Sequence, residues 1–397
     1  MSLSSLPLSY CTNVHPGQSV AEVERGLNEY TVPVKSNFGT LAAGLWLASP
    51  VIHELQSSSR ARRAFADGLA KRGLSCHTLN AFPFGNFHSR RVKENVYVPD
   101  WTTSERLEYT HACARMLAEL LPEGAEGSIS TVPLGFKLFD HAADFGSRCV
   151  SNLLEFARRL HRLHLDSGRL IRLAIEPEPC CVVETTSEAI VFFEQLWQAA
   201  GAETGAGNAH LLDIARRHLG VCYDVCHQAV EFEDVPGSIR ALDAAGVRIN
   251  KVHITCALQL EAPATNREGR EALARYVEER YLHQTFARRP NGDVVRQVDL
   301  SESLAHHPPP EFRDAEQWRV HFHVPVDADS LGPLGTTRTD LKQALATVAE
   351  LDYAPHLEVE TYTWQVLPNG RRPTGAAHLV DGLTRELVAT RMLLENR

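Results

Sequence analysis

Apolar positions along the chain fall into two alternating patterns. Short β-type runs occupy residues 8–12, 40–47, 74–80, 127–132, 170–175, 220–224, 251–256 and 356–360. Between them lie longer segments whose apolar residues recur at helical spacing. Segment 103–121 opens on a Thr-Thr-Ser capping run with Glu105, then keeps Leu107, Ala112, Met116, Leu117 and Leu120 in helical register. Segment 145–165 gathers Leu153, Phe156, Ala157, Leu160 and Leu163 on one side, and segments 186–200 and 239–245 continue the rhythm. Eight strands alternating with helices predict an α/β protein with a closed parallel sheet, a (β/α)8 TIM barrel.

The rhythm breaks at about residues 258–318. A helix-like stretch, 267–281, is followed there by a hairpin-like one, 284–298, with Asn291-Gly292 as its turn. We read this interval as an insertion between strands seven and eight of one domain spanning 1–397. A ninth β-like run, 318–326, follows it. No internal repeat and no Pro/Gly/Ser linker divides the chain.

Composition narrows the function classes. The formal charge of -9 sets net repulsion against a polyanion, so no nucleic-acid partner is expected. The longest apolar runs, such as 41–51, contain Gly and Pro and fall short of the roughly 20 residues that span a bilayer. Residues 1–8 have neither a basic nor a sustained apolar stretch, so a cytoplasmic protein without membrane insertion is expected, compatible with a homo-oligomer. The nine cysteines are odd in number and irregular in spacing, which argues for reduced thiols.

The chemistry is concentrated at the ends of the later strands, where a barrel places its active site. Strand five ends in Ile175-Glu176-Pro177-Glu178, two acids on one side of an extended segment. Strand six ends at Asp224, with His227 three residues beyond. On strand seven, alternation sets His253 opposite Val252 and Ile254, hence inward. Strand eight carries Glu358 and Glu360 on one face, and two inward carboxylates require a cation or strong hydrogen bonds. Glu360, nearer the strand's end, is the first choice as a ligand. This oxygen and nitrogen set suits Mn²⁺, Mg²⁺, Co²⁺ or Zn²⁺ without choosing among them. His321 and His323 share one side of their run; they are candidates to line the cavity or bind a second metal, and alternation on a half-buried strand explains them equally well. After strands one and three, Asn13, His15, Asn80 and His88 offer groups that read sugar hydroxyls. Lys137 and the 332–339 loop before a helix are candidates for binding phosphate.

Taken in order, Ile-Glu-Pro at 175–177, Asp-x-x-His at 224–227, Val-His-Ile at 252–254 and Glu-x-Glu at 358–360 resemble the xylose isomerase-like superfamily. Further stretches at 10–17, 80–85, 99–103, 175–179, 321–325 and 357–364 resemble the metabolite traffic protein EboE family within it. That resemblance implies a divalent metal held by Glu176, Asp224, His253 and Glu360, with His323 as an additional candidate ligand. It also implies that Glu176 and Glu360 move the proton with His227 near the substrate, so these three are the expected catalytic residues; Asn13, His15, Asn80, His88, Lys137, Glu178 and His321 are expected around the substrate from their own chemistry and position. The activity it implies is isomerisation or epimerisation of a sugar, sugar phosphate or cyclitol-like metabolite through an enediolate, in an operon-encoded secondary-metabolite pathway. Two alternatives stand beside it: a non-catalytic metabolite-binding protein, and a metal-dependent phosphoesterase of the endonuclease four type. The second draws on the segment after strand seven and on Leu334-Gly335, which resembles an endonuclease four loop.

Overall fold

The computed structural model describes residues 6–202 and 211–395. Its centre is a closed barrel of parallel strands: β1 (Ser9–Cys11), β2 (Ala42–Trp46), β3 (Thr78–Asn80), β4 (Gly127–Thr131), β5 (Ile171–Ile175), β6 (Leu219–Asp224), β7 (Ile249–Ile254) and, closing against β1, β14 (His356–Val359). All eight fall within or beside the runs read from the sequence. The helices Ser104–Leu120, Phe145–Ser167, Thr186–Ala202 and Val235–Ala244 join successive strands and bury their apolar faces. Thr103 caps the first of these by accepting a hydrogen bond from the Arg106 N–H.

The chain between β7 and β14 carries a second sheet, in the order β10-β9-β11-β8-β13-β12. Its strands are β8 (Leu258–Glu261), β9 (Thr285–Arg288), β10 (Val294–Gln297), β11 (Gln317–Val320), β12 (Ser330–Leu331) and β13 (Leu334–Thr336). The sheet runs past residue 318, so the interruption of the barrel rhythm is longer than the 258–318 interval. Asn291-Gly292 lies in the β9–β10 hairpin turn, with Gly292 at φ 90°. The helix expected over 267–281 ends at Ala274, and Glu278 accepts the backbone N–H groups of Arg280 and Tyr281 in the turn that follows. Likewise the ninth β-like run pairs only as far as Val320, antiparallel to β8 and β9. Beyond that point His321 N–H bonds to Gln284 O and Val324 N–H to Cys256 O, which turns the chain toward the barrel mouth.

The barrel interior is unusually polar. Lys251 and Glu358, both fully buried, face each other with Nζ 2.6 Å from Oε2. Space for them comes from small inward residues on the first two strands, Ser9, Cys11, Ala42 and Gly44, which share a face by alternation. Ser9 Oγ also reaches Glu358 Oε1 at 3.4 Å. None of the nine cysteines is paired, and no helix among the described residues is long and apolar enough to cross a membrane.

This packing makes Gly44 a close-approach position. A Cβ built there would lie 1.5 Å from Glu358 Oε1 and 2.9 Å from Tyr10 O. Gly44→Ala is therefore expected to displace Glu358 and to lower stability by about 3 kcal/mol or more, as overpacking beside a buried ion pair should. Urea denaturation of the variant and the wild type checks this; equal midpoints would show that the barrel interior is looser than described.

Candidate metal centre

The ladder of the barrel brings four of the predicted groups together. In register, Glu358 on β14 stands beside His253 on β7, which stands beside Asp224 on β6. Glu176 follows β5 directly and Glu360 follows β14, so both leave the barrel at its C-terminal mouth. Glu176, Asp224, His253 and Glu360 each offer one ligand atom, and these atoms lie within 4.8 Å of one another in a fully buried cluster.

His253 is the hub. Its Nδ1 is 2.9 Å from Glu176 Oε1, 3.2 Å from Glu360 Oε2 and 3.6 Å from Asp224 Oδ2. On the other side of the ring Nε2 donates to Glu358 Oε2 at 3.1 Å. That bond fixes the tautomer that leaves Nδ1 free to act as a ligand, as an outer carboxylate does for a metal-binding histidine. Glu358, itself neutralised by Lys251, thus orients His253 rather than joining the cluster. The signal for Lys251 was available in the sequence: it lies two residues before His253, on the same inward face.

Each carboxylate has one oxygen engaged and another turned to the centre. Glu360 Oε1 accepts from Asn13 Nδ2 and Asn80 Nδ2, both at 2.8 Å. Asp224 Oδ1 accepts from Thr255 Oγ1 at 2.6 Å and from His227 N–H at 3.2 Å. Among the described residues Glu176 Oε2 and Asp224 Oδ2 have no hydrogen-bond partner. Burial without a partner is costly for a carboxylate oxygen, and a divalent cation would relieve both at once. The donor set therefore fits a divalent metal ion.

Electrostatics point the same way. Burial pushes Glu176 and Glu360 above the usual carboxylate range, although His253 beside them favours their charged forms. Burial opposes charge on His253, but the Cys222 sulfur and the Glu176 and Glu360 carboxylates hold its pKa well above the ordinary imidazole value. Asp224 goes the other way: although burial opposes its charge, the histidines around it hold its carboxyl well below the usual range, so without a cation the cluster is a charged Asp224 beside protons on Glu176, Glu360 and His253.

Above the cluster lies a cavity. Asn13, Asn80, Glu176, Glu178, His227, His321, His323 and Glu360 line it, with an aromatic wall of Phe82, Phe87, Tyr97, Tyr281 and Tyr362. Burial holds Glu178 well above the usual carboxylate range, against the hydrogen bond from Tyr97 Oη at 2.7 Å. Three residues expected around the substrate do not line this cavity. His15 packs in the helix layer, stacked on Tyr30 with ring centroids 4.8 Å apart and bonded to Tyr10 Oη, and burial pushes its pKa down to about 3. His88 lies behind the wall and donates to Asn13 O at 2.8 Å, so it positions Asn13. Lys137 is held by Glu184 at 2.5 Å and Glu188 at 2.7 Å, which satisfies its charge away from the cavity. The 332–339 loop also turns elsewhere, since Thr337 at the helix start bonds to the Ala257 N–H.

Several supporting residues carried no sequence signal. Lys93 is buried and donates to Glu278 O, Tyr281 O and Asp299, tying the segment after β3 to the chain beyond β8 across the cavity. Glu386 on the helix Ala376–Glu395 accepts from Thr361 Oγ1, Trp364 Nε1 and the Val326 N–H, which anchors the chain just past Glu360.

By sequence, the chain matches no protein-family model and no curated protein. By structure it is similar to D-psicose 3-epimerase in the presence of D-fructose, with a TM-score of 0.51 and 11% identity over 98% of this chain and 99% of that one. A zinc-bound IOLI protein aligns with a TM-score of 0.49 and 12% identity over 98% of this chain and 99% of that one. A xylose isomerase-like TIM barrel protein from Mycobacterium smegmatis in complex with magnesium aligns with a TM-score of 0.48 and 11% identity over 99% and 100%. The fold of this chain is a (β/α)8 barrel, shared with the D-psicose 3-epimerase structure.

A metal that binds this cluster must displace the protons held on Glu176, Glu360 and His253. Mn²⁺ or Zn²⁺ is therefore expected to raise the melting temperature of chelator-treated protein, with affinity climbing as pH rises from 4.5 past 6.5, because each displaced proton opposes binding at low pH. Calorimetric titration across that range measures it; an affinity independent of pH would contradict the assignment, as would full metal binding by Asp224→Ala and His253→Ala.

Proposed function

We propose that the protein is a metal-dependent isomerase or epimerase that acts on a sugar, sugar phosphate or cyclitol-like metabolite by proton transfer through an enediolate. One observation carries the reading. Glu176 and Glu360 reach the same His253 Nδ1 from different strands, both buried and both on the wall of the cavity. Two carboxylates that face one cavity from different strands can act in turn as general base and, once protonated, as general acid.

In this reading Glu176 takes a proton from the substrate carbon beside the carbonyl, through a carboxylate oxygen that the cation does not hold. Glu360 returns a proton to the neighbouring position or the other face, held in place by Asn13 and Asn80 on its Oε1. His227, whose Nδ1 is fixed by Pro177 O at 2.9 Å, stands at the cavity wall close to the reacting oxygens. The aromatic wall covers the apolar face of a ring or chain and keeps bulk water from the intermediate. A divalent cation held by Glu176, Asp224, His253 and Glu360 would polarise the carbonyl and stabilise negative charge developing on oxygen.

The likeness in fold to D-psicose 3-epimerase supports a ketose-type substrate. The resemblance of the stretches at 10–17, 80–85, 99–103, 175–179, 321–325 and 357–364 to the EboE family is the basis for placing that reaction in an operon-encoded secondary-metabolite pathway.

Incubation with Mn²⁺ and candidate ketoses in D₂O is expected to wash deuterium into the substrate carbon, read by NMR. Glu176→Gln and Glu360→Gln should each slow that exchange by about 10² to 10⁴-fold while the substrate still binds. A protein that holds metal and substrate yet never exchanges a proton, with Glu360→Gln indistinguishable from wild type, would be a binding protein and not an enzyme.

A further inference from the structure

Two stretches that wall the cavity also wall a second pocket. The turn after the helix Arg267–Ala274 gives Tyr281 to the cavity and Arg275, Tyr276 and Glu278 to the pocket. The segment after β14 gives Tyr362 to the cavity and Arg371 and Arg372 to the pocket. The tip of the β12–β13 hairpin at Gly332 completes the second pocket, whose volume of about 370 Å³ lies in the range of small-molecule sites. Gly370, at φ 87°, turns the chain so that Arg371 and Arg372 both return their N–H groups to Pro368 O. A Cβ built on Gly332 would stand 3.6 Å from Arg371 Nη2, so the hairpin tip and the guanidinium lie side by side.

The pocket carries surplus positive charge. Three guanidinium groups face one carboxylate, and that carboxylate is already committed: Glu278 Oε1 is engaged by the Tyr281 N–H and His283 Nε2, and Oε2 by the Arg280 N–H. Among the described residues none of the three guanidinium groups has a carboxylate partner, although acids outnumber lysines and arginines 49 to 40 in the chain. Tyr276 gives a second, independent sign. Its side chain is 3% exposed and packs edge-on against Phe322 with ring centroids 5.1 Å apart, yet Oη has no hydrogen-bond partner among the described residues. The cationic groups that act on that oxygen are Arg371 and Arg275. A buried hydroxyl without a partner is costly, and an oxyanion that accepts from it and from the guanidinium groups would satisfy all of them together.

We propose that this pocket binds the phosphoryl group of a small metabolite, as a site separate from the metal-side cavity. A phosphoryl group brings three acceptor oxygens and up to two negative charges, which matches several guanidinium forks and a phenol better than a single carboxylate does. The two pockets share no lining residue, so this ligand is distinct from a substrate in the cavity, and the assignment does not depend on the isomerase reading. An anion held there would bridge the insertion to the segment after β14. It would thereby fasten together the two stretches that carry Tyr281 and Tyr362.

The test is calorimetric titration of the full-length protein with pyrophosphate, without added metal, at low and at physiological salt. Wild type is expected to take up one pyrophosphate per chain, more weakly as salt rises. Arg371→Gln should lose affinity about 10- to 100-fold, the cost of one charge-assisted hydrogen bond. Tyr276→Phe keeps every charge and should still lose affinity about 2- to 10-fold. Arg60→Gln, on the helix Ser59–Lys71 and outside the pocket, should bind like wild type. Arg371 and Arg60 are both exposed, so neither substitution disturbs the core. No uptake by wild type, or affinity unchanged in Arg371→Gln, would place the anion elsewhere and overturn the proposal. Affinity unchanged in Tyr276→Phe, or an equal loss in Arg60→Gln, would reduce the pocket to diffuse surface charge and overturn it as well.

Discussion

Three carboxylates and an imidazole are forced into one buried volume at the mouth of this barrel, and charge neutrality there is the constraint from which the rest follows. Burying an unpaired carboxylate costs several kcal/mol even after relaxation, so the cluster needs compensating positive charge. The protein answers at two depths. Below the mouth, Lys251 neutralises Glu358, and that pair sets the orientation of His253. At the mouth itself, protons or a cation must balance Glu176, Asp224 and Glu360.

The supporting structure follows from that requirement. Small residues on β1 and β2 make room for the Lys251–Glu358 pair, and Asn13 just past β1 and Asn80 at the end of β3 hold one oxygen of Glu360 so that the other faces His253. The chain between β7 and β14 closes the cavity from above. It does so through Lys93 on one side and through Gln284, which links Tyr97, Pro179 and His321, on the other. The insertion is therefore part of the site's wall, and it brings two histidines that a plain barrel would not have.

What could be read from the sequence was set by local periodicity. Period-two alternation is strong on β7 and β14, so the inward direction of His253 and of the Glu358 and Glu360 pair was legible from neighbouring apolar residues alone. Acids at strand ends were equally visible, because Pro177 and the helix start after Asp224 mark where the chain turns. His15, His88 and Lys137 show the limit of the method. Each follows a strand or lies near a strand end, but partners distant in sequence decide where it points: Tyr30 for His15, Asn13 for His88, Glu184 and Glu188 for Lys137. Glu386 and Gln284 were invisible for the same reason, since their roles exist only across tertiary contacts. Similarly, the 318–326 run has strand-like composition throughout, and only the pull of Gln284 and Cys256 on its backbone ends the pairing at Val320.

The most direct test of the charge-balance account is a crystal structure of the protein grown with Mn²⁺, with anomalous diffraction measured at the manganese edge. The account predicts a peak within coordination distance, about 2.0–2.3 Å, of Glu176, Asp224, His253 Nδ1 and Glu360. Crystals containing manganese but lacking a peak there, with His253 still paired to Glu176, would contradict it.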